Sequence, residues 1–367
     1  MAYTGENGTF TFRDGYCESL PGKDITSSDA ALLGRTVGQL FRRFSAGCQD
    51  FRHTHILYSL CSGIAECGKD VYLCENTDLP SLRFSCGGLG ADCCIFVSGD
   101  DCVRISLFGA EGFPVPDRTL KKIMELSPAG KADICGRIMA VTSFSNIYMS
   151  NISDCTGAGR KRLPAGVSCG NRAVRELWCH FFTGDDDNFI FQISDNGQRI
   201  NAYSVEYGFL SYERLTLAYV HKLVSKGETV WLPEDLHYGA DTLERIGQNI
   251  RRFSPENSIP KEAVRQRFLT DPLFMCVDLL SHSSDMNTAL REIPVLAAVR
   301  RDIPVDDIDN IPCGRTIFDD SGRVIIRRSG KNRISLTAQA FSQETAAELC
   351  SFWTGRLTGH GAPLSDR

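Results

Sequence analysis

The sequence predicts a layered α/β protein with several domains. Its 367 residues are too many for one ordinary hydrophobic core, because single domains usually hold roughly 100–200 residues. Segments with helical periodicity alternate with short apolar runs bounded by turn residues, a pattern typical of a largely parallel sheet covered by helices. With 42% hydrophobic and 23% charged residues, the composition is that of a globular protein.

The first part of the chain shows this alternation most clearly. The first predicted helix has Ser27 or Ser28 as its N-cap, and the second ends at Gly68, a suitable C-cap. The predicted elements here are helices at 27–44 and 53–68 and short buried strands at 69–76 and 93–99.

The middle of the chain is less regular. The segment 134–152, "ICGRIMAVTSFSNIYMSNI", fits either a helix or a strand. Asp195-Asn196-Gly197 lies between two alternating runs and is a hairpin signal, because Asn and Gly accept the positive φ of tight turns. The other predicted elements are helices at 173–182 and 211–227, the second capped by Ser211, and strands at 187–194 and 198–208.

The last third of the chain contains two further units. One begins at "ETVWLPEDL" (228–236), continues through a helix at 239–250 and closes with the segment 284–302. The other has strands on either side of "DDSG" (319–322), a strand at 333–341 and a final helix at 342–357.

Composition excludes several functional classes. The formal net charge of −5 argues against nucleic-acid binding, which needs a basic face. The N-terminus lacks an apolar leader and no apolar run approaches the roughly 18 residues of a membrane helix, so we expect a cytoplasmic protein with no membrane contact. The 16 cysteines show no C-x-x-C spacing, and we expect reduced core residues rather than disulfides or zinc ligands.

Five motifs occur in an order that resembles the α-D-phosphohexomutase family, which includes phosphoglucomutases, phosphomannomutases and phosphoglucosamine mutases. They are "GTFTFRDG", "FGAEGFPVP", "SCGNRAV", "SDNGQRI" with "EYGFLSYERL", and "VIIRRSGKNRISLTAQAFSQETAAEL". The resemblance implies four domains around a central cleft, three α/β/α units and a small C-terminal α+β domain. We place them at 1–130, 131–227, 228–312 and 313–367.

The resemblance also implies a set of functional loops. Family members carry a phosphoserine in domain 1, a magnesium ion held by three aspartates of a domain 2 loop, a sugar-reading Gly-Glu-x-Ser-Gly-His loop and a distal phosphate loop. Phosphoryl transfer needs this set because negative charge spreads over the transferring oxygens and must face a cation.

The metal loop departs from the family pattern. Ser194, Asn196 and Gln198 stand where the family has its three aspartates, and Arg199 matches the closing Arg. Magnesium binds through carboxylates and dehydrates reluctantly, so neutral oxygens are poor ligands. We predict that the loop is a hairpin without a metal ion and that the protein needs no cofactor.

Two other loops have also changed. Ser98 stands at the phosphoserine position, but Gly99-Asp100-Asp101 follows it where the family has His-Asn-Pro. Nearby carboxylates would repel a phosphoryl group, so phosphorylation of Ser98 is unfavourable. The sugar loop lacks its Glu, Ser and His, and the corresponding region, "FLTDPLFMCVDLLSH", offers Thr270, Pro272 and Phe274 instead.

The phosphate loop is the best preserved. Arg327, Ser329 and Gly330 match the family residues, and Lys331 adds positive charge. A guanidinium, a hydroxyl and the N–H groups of a Gly-containing turn are suited to hold a phosphate. Basic residues in an exposed turn would give the same pattern.

Domain 2 also has only about twenty residues between "CGNRA" and "SDNGQR", so we expect a missing βα segment. The exposed sheet would then need cover from a second copy or a protein partner. Three hypotheses follow: a non-catalytic homologue that binds a phosphosugar, phosphate or protein; a divergent active mutase; and a structural subunit of a complex.

Overall fold

The computed structural model describes residues 3–4, 10–13, 16–19, 25–74, 77–99, 103–142, 144–159, 161–234, 239–240, 249–255, 258–293, 295–305, 311, 316–319, 321–330 and 333–358. Within these residues the chain forms four sheets with flanking helices, which confirms the predicted α/β class. None of the helices in this part of the chain combines the length and apolar character needed to cross a bilayer.

The first sheet has eight strands in the order β1-β2-β3-β7-β6-β4-β5-β8. Its strands are β1 Tyr3–Thr4, β2 Phe10–Arg13, β3 Tyr16–Ser19, β4 Arg43–Cys48, β5 Asp70–Cys74, β6 Cys93–Ser98, β7 Arg104–Gly109 and β8 Ile138–Ala140. The helices of this part are α1 Ser27–Val37, α2 Thr54–Glu66, α3 Leu79–Gly88 and α4 Asp117–Glu125. Strands β4, β5, β6 and β8 are parallel, as the alternation of elements predicts.

Helices α2 and α3 cover opposite faces of this sheet. Leu57 and Leu60 of α2 pack in one core cluster, whereas Leu82 of α3 packs in another with Phe96. Strand β4 continues through α2 to β5 on one side of it in the sheet, whereas β6 continues to β7 on its other side, so the carboxyl ends of the neighbours β4 and β6 form a topological switch point. Open α/β sheets bind ligands at such points.

The second sheet has five strands in the order β10-β9-β11-β12-β13. Its strands are β9 Leu163–Ser168, β10 Phe182–Gly184, β11 Phe189–Ile193, β12 Ile200–Ser204 and β13 Gly208–Leu210, and its helices are α5 Phe144–Thr156, α6 Arg172–Phe181 and α7 Tyr212–Ser225. Strands β11 and β12 form the predicted hairpin around Gly197, and Ser211 caps α7 as predicted. The ambiguous segment 134–152 contains both β8 and most of α5.

The third sheet pairs β14 Val230–Pro233 with β15 Ile250–Phe253 in parallel. The helices that follow are α8 Lys261–Arg265, α9 Pro272–Ser281 and α10 Ser283–Glu292. Most of the helix predicted at 239–250 lies outside the described residues. Buried side chains of the second and third units form one continuous core, which includes Trp178 of α6 and Met275 of α9.

The fourth sheet is antiparallel, in the order β16-β19-β18-β17, with β16 Ala297–Pro304, β17 Thr316–Asp319, β18 Gly322–Gly330 and β19 Arg333–Ala340. Helix α11, Gln343–Leu357, packs Trp353 against Ile326 and Leu336. This sheet begins before the predicted boundary at 313, just as β8 extends the first sheet beyond residue 130.

Local signals explain two small differences from the predicted elements. Helix α1 is capped by Thr26 rather than by Ser27 or Ser28, because Thr26 and Asp29 form a reciprocal capping box. Helix α2 ends at Glu66, and Gly68 closes the turn after it at φ +75°. The described cysteines are all free and most are buried, in line with the predicted reduced core residues.

Candidate functional site

The loop at the metal position is closed upon itself. The Ser194 hydroxyl donates to Asn196 Oδ1 at 2.8 Å, and that oxygen also accepts from the Gln198 N–H at 3.1 Å. The Arg199 N–H donates to Ser194 Oγ at 2.9 Å, while Gly197 takes the positive φ of the turn, +74°. Two of the three residues at the family's aspartate positions, Ser194 and Asn196, thus use their oxygens to hold the predicted hairpin.

The remaining carboxylate of the loop is also engaged. Asp195 Oδ1 accepts from the Asn171 N–H at 2.9 Å, and Asn171 is the N-cap of α6. A Cβ at Gly170 would lie 2.8 Å from the same oxygen, so a larger residue there would displace the Asp195 carboxylate. Asp195 therefore fixes the "SCGNRA" turn. This donor set does not fit a magnesium ion, which prefers free carboxylates.

Within the described residues, no group of three or more His, Cys, Asp or Glu side chains could hold a metal ion.

The hairpin also joins the first two units. The backbone N–H of Leu79, the first residue of α3, donates to the Asn196 carbonyl at 3.0 Å, and Gly197 packs against Asp78. The Asn171 side chain donates to the Gln49 carbonyl at 3.1 Å, just beyond β4. The hairpin at 194–199 is thus a structural contact at the switch point.

Asp78 lies buried beneath this contact as the N-cap of α3. Its carboxylate accepts from the Ser81 N–H at 2.9 Å and from the Ser81 hydroxyl at 2.7 Å. Burial, with a smaller contribution from the charge of Asp271, raises the pKa of Asp78 to about 6.

Ser98 ends strand β6 at the switch point and is 8% exposed. Gly99 follows it at φ +124°, and His53 Nε2 lies 2.6 Å from the Gly99 carbonyl, to which it donates. Asp100 and Asp101, the carboxylates predicted to repel a phosphoryl group, lie outside the described residues.

Arg104 is the residue that sequence reasoning missed. It is the direct cross-strand partner of Ser98 in the antiparallel pair β6 and β7, so the Cβ atoms of the two residues are about 5 Å apart. Its guanidinium lies 5.1 Å from the ring centroid of Tyr16. The sequence does contain a signal for this pair. Few residues separate Ser98 from Arg104, and a short turn between two antiparallel strands brings the residues before and after the turn together.

Arg104 of β7 and Arg327 of β18 both lie close enough to Arg199, in the turn before β12, to act on its charge. Burial, followed by the positive charges of Arg327 and Arg104, lowers the pKa of Arg199. Arg199 keeps an exposed surface, so water screens part of this repulsion. Like charges gathered at the end of a sheet favour the binding of an anion.

The phosphate loop lies at the end of β18. Arg327 is exposed and pairs with Ser335 of β19, and the register shifts between Arg328 and Gly330. The backbone of Ser329 and Gly330 belongs to this strand end. The Ser329 side chain and Lys331 lie outside the described residues.

The region that corresponds to the sugar loop is a buried junction. Asp271 is 3% exposed and accepts from Tyr148 Oη at 2.8 Å and from Arg267 Nε at 2.7 Å. The Thr270 carbonyl accepts from Arg83 at 3.4 Å, and Pro272 begins α9. These contacts join α3, α5 and α9, so Thr270, Pro272 and Phe274 are structural here.

No protein-family profile matches the sequence, and no curated protein sequence matches it. Solved structures do match. A phosphoglucomutase/phosphomannomutase family protein from Burkholderia thailandensis superimposes with a TM-score of 0.69 at 14% identity, covering 95% of this chain and 97% of that one. A putative phosphomannomutase from Thermus thermophilus gives 0.67 at 14% identity, covering 94% and 98%. An N-acetylphosphoglucosamine mutase from Aspergillus fumigatus, in complex with glucose 1,6-bisphosphate, gives 0.52 at 10% identity, covering 98% and 97%. The chain therefore has the phosphohexomutase fold along nearly its whole length.

Proposed function

We propose that this protein binds a phosphorylated small molecule, of the phosphosugar class, without magnesium-dependent mutase activity. One contrast supports the proposal. Arg104 lies beside Ser98, and Arg104 and Arg327 both act on the charge of Arg199, whereas side-chain oxygens at 194 and 196 close a hairpin. Guanidinium groups bind phosphate oxygens in a bidentate manner, so an anion site can persist without the metal.

A thermal-shift experiment tests this proposal. Glucose 6-phosphate or inorganic phosphate should raise the melting temperature, because a ligand that binds only the folded state stabilises it by about 0.4 kcal/mol at a concentration equal to Kd and about 2.7 kcal/mol at a hundredfold excess. Arg327→Ala should remove the shift. Arg291→Ala is the matched control, since Arg291 pairs with Glu206 on the surface. Equal stabilisation of wild type and Arg327→Ala would overturn the proposal.

A divergent mutase is the second candidate, and the pairing of Ser98 with Arg104 favours it. A cation beside the serine could offset the charge of a phosphoryl group. We expect no phosphate on Ser98 by intact-mass analysis after incubation with glucose 1,6-bisphosphate, and no turnover of glucose 1-phosphate in a coupled assay. A phosphate adduct at Ser98, with turnover lost in Ser98→Ala, would establish the mutase instead.

A structural role in a complex is the third candidate, supported by the outer face of the second sheet. Tyr203 and Phe209 are cross-strand partners, and their side chains are 49% and 60% exposed. Val205 adds to this apolar surface. If a second copy of the chain covers this surface, sedimentation equilibrium should show a dimer, and Phe209→Ser should dissociate it. A monomer at all concentrations would exclude self-association. A cytoplasmic location stays a prediction.

A further inference from the structure

A cavity of about 310 Å³ lies two strands away from Ser98, near the β8 edge of the first sheet. It opens where β5 and β8 end, next to the first turn of α3. Leu82 and Ser81 form its buried part, whereas Thr142 and Ser145 are exposed. The lining therefore runs from solvent into the interior. The cavity lies at the lower end of the size range of small-molecule sites, and it lies at the carboxyl ends of parallel strands.

Apart from the Cys74 thiol, the polar side-chain groups that line the cavity are hydroxyls. Thr77, Ser81, Thr142 and Ser145 contribute to the lining, and no Lys, Arg, Asp or Glu does so among the described residues. Phe144 and Leu73 supply apolar surface. Against these described lining residues, a charged ligand would lose hydration without gaining an ionic partner, which favours a neutral ligand.

A chain of hydrogen bonds determines what the hydroxyls offer to a ligand. The Ser81 hydroxyl donates its hydrogen to Asp78 Oδ2 at 2.7 Å. The Thr77 hydroxyl lies 2.7 Å from Ser81 Oγ and 3.3 Å from the Asp78 carbonyl, and it donates to one of these oxygens. Both hydrogens are thus used within the protein. The two oxygens keep lone pairs and act as acceptors.

We propose that this cavity is a second binding site, which takes a neutral polyhydroxylated molecule up to the size of a monosaccharide. Its hydroxyl groups would donate to Thr77 and Ser81, and its C–H face would pack on Phe144. The site is separate from the arginine cluster because it needs no charge on the ligand.

Saturation-transfer NMR with myo-inositol and D-glucose as probes tests the proposal. We expect millimolar binding to the wild type. Thr77→Val removes one acceptor and should weaken binding roughly fivefold. Ala140→Phe should abolish binding, because Ala140 lines the cavity and is exposed at the edge strand, where a larger side chain can be placed without disturbing the core.

Two controls separate this site from the phosphate site. Thr288→Val, on the surface of α10, and Arg327→Ala should both bind the probes like the wild type. Thr77→Val should keep the thermal shift with glucose 6-phosphate. Lack of probe binding to the wild type would overturn the proposal, and so would binding that both cavity variants retain or that Arg327→Ala removes. Melting temperatures of the variants verify that each is folded.

Discussion

Arg104 changes the interpretation of Ser98. The sequence places two carboxylates after this serine and so predicts that a phosphoryl group is repelled there. The structure adds the guanidinium of Arg104, which lies directly across the strand pair. Strand register across a loop depends on where the loop turns, and composition alone does not determine that point. Motif matching therefore did not identify Arg104, the residue that most alters the charge next to Ser98.

Replacement of Arg104 tests its share in anion binding. Arg104→Ala should weaken binding of glucose 6-phosphate about tenfold or more, because a hydrogen bond to a charged group contributes about 1.5–3 kcal/mol. Arg104→Lys should recover part of the affinity, since an ammonium keeps the charge but lacks the bidentate geometry. Isothermal titration measures both values. Unchanged affinity in Arg104→Ala would remove this residue from the site.

Asp78 predicts a pH dependence of stability. Its pKa is about 6 in the folded state against an ordinary value of 3.8, so the fold favours the protonated acid. The stability that Asp78 contributes is therefore present below about pH 4 and is lost as the pH rises to about 6. Asp78→Asn should remove this loss.

Urea unfolding at pH 4 and pH 7 measures the effect. From pH 4 to pH 7, the free energy of unfolding of Asp78→Asn minus that of the wild type should increase by at most about 3 kcal/mol. Parallel pH profiles for the two proteins would show that Asp78 titrates normally in the fold.

At the scale of elements, the hairpin between β11 and β12 is held by the side chains of Ser194 and Asn196, and Asp195 ties it to α6. Asp195→Ala should lower the free energy of unfolding by about 1–2 kcal/mol, because the Asn171 N–H at the start of α6 loses its acceptor. Asp187→Ala is the control, as this exposed carboxylate lies just before β11. Equal effects of the two variants would mean that the Asp195 contact adds no stability.

Two ion pairs with the same (i, i+4) spacing offer a second test. Asp271 is buried and Arg267 is only 18% exposed at the junction of α3, α5 and α9, whereas Arg172 and Glu176 are exposed on α6. Asp271→Asn should lower the free energy of unfolding by about 3–5 kcal/mol, because it leaves a buried guanidinium without its counter-ion. Glu176→Gln should have no measurable effect. Chemical denaturation of both variants compares them, and a small effect of Asp271→Asn would contradict a structural role for this junction.

Sequence reasoning succeeded where local chemistry decides the outcome. The Ser211 cap of α7 and the turn at Gly197 follow from hydrogen bonding and backbone freedom within a few residues. The predictions were less accurate where contacts between distant residues decide the structure. Strand β16 lies before the predicted boundary at 313 but belongs to the last sheet, because it pairs with β19. Asp271 is buried by helices that are distant in sequence. The motif positions did not reveal that residues 194–199 and 267–271 form contacts between units.

At the scale of the whole molecule, the chain has the phosphohexomutase fold, and two of its loops are contacts between units. The hairpin at 194–199 contacts α3, and residues 267–271 hold three helices together. On the proposed function, Arg104, Arg199 and Arg327 supply the positive charge for an anion without a metal ion.

Isothermal titration of glucose 1,6-bisphosphate in the presence of excess EDTA, repeated with magnesium, tests this account most directly. We predict the same dissociation constant under both conditions, because Arg104, Arg199 and Arg327 supply the positive charge and Ser194 and Asn196 are engaged within the hairpin. Binding that appears only with magnesium, or no binding under either condition, would contradict the account.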